Sequence, residues 1–99
     1  MSGFSRFLDG AQGLLREAQA ANPKLSAWRH STGVLMGLPG PNPEPAADEV
    51  ILRVEAATQP GHVQIWATDK KGGNIDVCVP ADDAGLAEVR KAIELTQNL

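Results

Sequence analysis

The chain has 99 residues, with 9 Lys+Arg against 12 Asp+Glu and a formal net charge of −3. One domain spanning 1–99 is expected at this length, and no apolar run approaches the roughly 18 residues of a membrane-spanning helix. A single cysteine excludes an internal disulfide and a cysteine-based zinc site, and a pI near 5.2 argues against a general nucleic-acid binder.

Leu, Ile, Val and Phe make up 23 of the 99 residues, more than disordered chains carry. Charge is uneven: residues 1–40 hold four basic and two acidic side chains, 41–60 one and four, and 61–99 four and six. The N-terminal excess is too small to name a partner. The start lacks a basic segment followed by an apolar one, so a cytoplasmic location is expected, where Cys78 stays reduced.

Residues 4–21 predict a helix. Phe4, Phe7, Leu8, Ala11, Leu14, Leu15 and Ala18 recur at helical spacing. Ser2 suits the N-cap, and Asn22-Pro23 ends the helix because the residue before proline avoids the α region. Gly10 and Gly13 each cost on the order of 1 kcal/mol relative to alanine in a helix interior. With Gly3 they predict either close packing of a strand or loop, or a groove for a partner helix. Over 24–38, Leu25 and Trp28 read as core or core edge, and Gly33–Leu38 as an additional strand that periodicity alone cannot settle. Prolines at alternate positions make 39–47 an exposed, extended loop.

Three segments alternate with period 2: Glu49–Ala56, His62–Thr68 and Asn74–Val79. Each has one apolar face, the mark of half-buried antiparallel strands. Gln59-Pro60-Gly61-His62 predicts a type II turn. If Pro60-Gly61 is the whole loop, Ala56 faces Ile65 and Trp66 falls between Glu55 and Asp76. Lys70-Lys71-Gly72 predicts a three-residue loop that pairs Ala67 with Ile75 and Ile65 with Val77. Residues 82–97 predict a second helix, with Asp82 as N-cap and Leu86, Val89, Ala92 and Ile93 on its apolar face.

The expected fold is α+β: an N-terminal helix, an antiparallel meander of three to four strands and a C-terminal helix, both helices on one sheet face. The other face is left open unless the proline-rich loop or the 24–38 segment covers it. Its one aromatic, Trp66, is the strongest functional pointer, because tryptophan is enriched where partners dock. The expected partner-binding set is Ile51, Arg53, Gln64, Trp66 and Thr68. Catalytic residues, metal ligands and cofactors are not expected. His30-Ser31 is adjacent in sequence, where side chains diverge; Cys78 lies near Asp76, against thiolate formation; His30 and His62 lack metal-ligand spacing.

The resulting expectation is a non-enzymatic protein-binding module, an inhibitor, adaptor or accessory subunit, that acts on another protein. A homodimer through open faces or edge strands is an additional possibility. The alternatives are a nucleic-acid-associated regulator using Arg16, Lys24, Arg29, Lys70 and Lys71, and a small-molecule binder or enzyme subunit. Helix, three strands, helix is the order of the double-stranded-RNA-binding domain, a topological analogy only. Asp82 and Asp83 stand where that domain needs basic residues.

Overall fold

A computed structural model describes residues 3–38, 45, 49–68 and 73–96. The order is α1 (Gly3–Ala21), β1 (Ser26–His30), β2 (Gly33–Gly37), β3 (Val50–Ala56), β4 (His62–Thr68), β5 (Asn74–Pro80) and α2 (Asp83–Thr96). The strands form one antiparallel meander, β1-β2-β3-β4-β5. This is the expected α+β architecture with more strands, because 24–38 folds into a complete hairpin. Ser31-Thr32 is its turn, and His30 pairs with Gly33. Among the described residues no helix is long and apolar enough to cross a membrane.

α1 buries Phe7, Leu8, Ala11, Leu15 and Ala18, the stripe its spacing predicts. Its last turn closes with the Asn22 amide donating to the Ala18 carbonyl at 2.9 Å. Asn22 then turns the chain: its Oδ1 accepts from the Lys24 amide at 3.2 Å, and its carbonyl accepts from the Leu25 amide at 3.0 Å. The expected N-cap, Ser2, lies outside the described residues. Gly10 meets a helix rather than a strand or loop: a Cβ there would sit 3.1 Å from a Leu86 methyl of α2, whereas Gly3 and Gly13 face open space.

α1 packs on β1 and β2, α2 packs on β3, β4 and β5, and the two helices touch each other. The core lies between this layer and one sheet face, where Val34, Met36, Leu52, Val54, Val63, Ile65 and Ala67 are fully buried. Arg29, on the same face of the edge strand β1, pairs with Asp9 of α1 and donates to Gln12 Oε1 at 3.0 Å. It thereby ties the edge strand to the helix.

The β4–β5 register is as predicted, Ala67 with Ile75 and Ile65 with Val77; its tip, including Lys70 and Lys71, lies outside the described residues. The β3–β4 register differs by two residues. Ala56 pairs with Val63, Val54 with Ile65, and Arg53 with Trp66. The type II turn itself is present: the His62 amide donates to the Gln59 carbonyl at 3.2 Å and Gly61 has φ +73°. It is nested in a longer loop: the Ala57 amide donates to the His62 carbonyl at 3.1 Å in the register of the ladder, so the chain reverses over residues 58–61 rather than over Pro60-Gly61 alone.

A register shift between Met36 and Gly37 pairs Gly37 with Val50 and leaves Ile51 as the extra residue of a bulge. Ile51 is 6% exposed and joins the core cluster, a correction to its expected place on the open face. Of the proline-rich segment 39–47 only Pro45 is described. It is buried rather than exposed: a Cβ on Gly37 would stand 2.7 Å from the Pro45 Cβ.

The α2 N-terminus is capped as expected. Asp82 Oδ1 accepts from the Gly85 amide at 3.1 Å, and Asp83 adds negative charge to the first turn. Asp82→Ala is expected to cost about 1 kcal/mol in denaturant unfolding. Asp82→Asn, which keeps the acceptor, retains most of that stability.

Candidate functional site: the open sheet face

With both helices on one side, strand alternation sends every second residue to a face that neither helix covers. The pairings align Trp28, Leu35, Arg53, Trp66 and Asp76 in one row across all five strands. The next row is His30, Gly33, Glu55, Gln64 and Cys78. Cross-strand neighbours in such rows stand about 5 Å apart, close enough for side chains to pack.

The centre of the first row is apolar. Trp28 is 37% exposed, and its position here corrects the expectation that it belongs to the core or its edge. Leu35 is only 7% exposed although it lies outside the core cluster; its row neighbours are Trp28 and Arg53. The Arg53 guanidinium lies over the Trp66 ring, 5.5 Å from its centroid, and its Nε is 3.1 Å from Glu55 Oε1. Both side chains of that pair are nearly half exposed, so solvent screening keeps its contribution below about 1 kcal/mol. The pair fixes Arg53 as a lid on the aromatic ring. On the far side, Gln64 donates to Asp76 Oδ1.

Arg53, Glu55, Gln64, Trp66, Asp76 and the start of the β3–β4 loop enclose a shallow depression of about 340 Å³. The two-residue register difference creates this geometry. Trp66 stands beside Arg53, where the expected register would have set it beside Glu55. A cation over the ring is attracted by the negative charge of its face.

Of the expected partner-binding residues, Arg53, Gln64 and Trp66 therefore come together. Thr68 is at the end of β4, its hydroxyl donating to the Gly73 carbonyl at 3.1 Å, and Ile51 offers no exposed surface. Trp28 and Leu35 are additions. The signal for them was the alternation of Ala27 and Arg29 against Trp28, ending at the polar pair Ser31-Thr32. Of the alternative basic set, Lys70 and Lys71 lie outside the described residues; Arg16 is exposed on α1, Lys24 on the loop after it, and Arg29 is held by Asp9 on the helix side of the sheet.

His30 Nε2 is buried and has no hydrogen-bond partner among the described residues. Cys78 is exposed at the margin of the face. Among the described residues no three His, Cys, Asp or Glu side chains gather as metal ligands. Comparison with protein families, curated proteins and solved structures finds no significant match for this chain.

Proposed function

We propose that the chain is a small non-enzymatic protein-binding module that docks another protein on its open sheet face. The observation that supports this reading is the row Trp28–Leu35–Arg53–Trp66: two tryptophans and a leucine on the one sheet face that no helix covers. Protein interfaces concentrate binding energy in aromatic and arginine anchors set within a polar rim. Here the rim is Glu55, Gln64 and Asp76. Arg53 and Gln64 are already held by neighbours, which lowers the entropy lost on docking.

The test is affinity capture with wild-type protein and with an Arg53→Ala/Trp66→Ala double variant, the retained proteins being identified and their affinities measured. Both substituted side chains lie outside the core, so the variant stays folded and is expected to lose at least 2 kcal/mol of binding, the scale of an interface anchor. Equal affinity of both proteins for the same partner overturns the assignment of the face. In a salt-titrated gel shift with DNA and RNA, no salt-dependent complex is expected, since the net charge is −3, Arg29 is paired with Asp9 and counterion release needs several cations set together against phosphates.

A further inference from the structure

The two sheet edges differ. β1 has five residues, and Arg29 ties it to α1. β5 has seven, pairs without a register shift along its whole length, and among the described residues has no strand on its other side.

Its free edge can be read residue by residue. The Ala81 amide donates to the Gly61 carbonyl at 2.9 Å, and antiparallel bonding alternates. Ile75, Val77 and Val79 therefore direct their amides and carbonyls to β4, whereas Asn74, Asp76, Cys78 and Pro80 direct theirs off the sheet. Pro80, which has no amide hydrogen, occupies a position where β4 does not require one. Edge strands are usually blunted by charged side chains, proline, a bulge or an inward-pointing charge; β5 carries one charge, Asp76, and a proline only at its last position, Pro80. It has no lysine, no bulge and no inward-pointing charge; its helix-side residues are Ile75, Val77 and Val79, all apolar and all only half-buried.

We propose that β5 is a self-association edge, on which the β5 of a second copy adds antiparallel about a two-fold axis through Val77. Three features select a second copy and this register. First, the outward groups match: Asp76 and Cys78 of each copy exchange amide-to-carbonyl bonds with Cys78 and Asp76 of the other, and each Asn74 amide meets a Pro80 carbonyl. Second, charge is compatible, because Asp76 opposes Cys78. An axis through Asp76 would set two carboxylates face to face, and an axis through Cys78 would set Asp76 against Pro80, which has no amide to give. Third, the axis is perpendicular to the sheet, so both helix layers lie on one side. Ile75, Val77 and Val79 then meet Val79, Val77 and Ile75 of the second copy in a continuous apolar row. The result is a ten-strand sheet with its open face uninterrupted. The inference is independent of the partner proposed for that face.

Sedimentation equilibrium from micromolar to millimolar concentration tests it. The mass is expected to rise from 10.5 kDa toward twice that value, and to do so equally for Cys78→Ser, which cannot form a disulfide. Cys78→Asp places like charges opposite each other twice and weakens the dimer roughly tenfold, whereas Cys78→Lys faces Asp76 and tightens it by a similar factor. Position 78 is exposed, so neither charge enters the core, and circular dichroism checks that the fold is kept. A wild-type chain that stays monomeric to millimolar concentration overturns the proposal. So does a dimer whose affinity is the same in the Asp and Lys variants.

Discussion

Alanine at position 85 destabilises this protein by about 1–3 kcal/mol or more, the cost of forcing atoms into a filled site. The sign is what makes the result diagnostic. Gly85 lies within α2, where glycine to alanine ordinarily stabilises a helix by about 1 kcal/mol. Here a Cβ would stand 2.0 Å from the Pro80 carbonyl oxygen and 3.0 Å from Phe7 Cε1. The phenyl ring can move; the backbone oxygen cannot without lifting the end of β5 or the first turn of α2. Trimming Phe7 to leucine therefore does not rescue the variant. Chemical denaturation measures the loss, and unchanged or increased stability would show that the strand end and the helix are not in contact.

The second large effect is at Leu52. It is fully buried in the middle strand of the sheet, flanked on the helix side by Met36 and Ala67. Leu52→Ala removes methyl groups where close-packed neighbours on two strands and the helix layer cannot collapse inward, and is expected to cost about 2–5 kcal/mol. Leu35→Ala is the internal comparison. Leu35 is also nearly buried, but on the open face, where water can fill the space its side chain leaves. Its cost is expected to be about 1–2 kcal/mol, close to the transfer term alone. Equal losses at the two positions would mean that the open face is covered by something as well packed as the helices.

The parts legible in the sequence were those with a period. The α1 stripe, the inward residues of β4 and β5, Leu52 and Val54 of β3 and the Asp82 cap follow directly from residue spacing, whereas the bulge that buries Ile51 does not. What spacing cannot see is an even shift. Leu52, Val54 and Ala56 meet Val63, Ile65 and Ala67 with apolar faces matched in either of two registers two residues apart. The choice is made by the loop: a correctly read type II turn at Gln59–His62 sits inside a longer closure by Ala57. As a result residue spacing alone sets Glu55 beside Trp66, where the structure has Arg53. The β1–β2 hairpin was obscured for another reason. Trp28 reads as core by composition, and a five-residue strand has too few alternations to contradict that. Gly85 gives no signal, because its role is set by a carbonyl five residues earlier in the chain and a ring contributed by α1.

The row of aromatics on the open face also gives the molecule an optical property. The chain contains two tryptophans and no tyrosine, and both indoles lie in that row rather than in the core. Its intrinsic fluorescence therefore reports on this face. Trp28 is 37% exposed and Trp66 half-buried, so a molecule that covers the whole row desolvates both emitters and displaces or locks the guanidinium over one of them. A blue shift and a change in quantum yield on titration with a docking partner, with no label attached, are the emission signature this arrangement supplies.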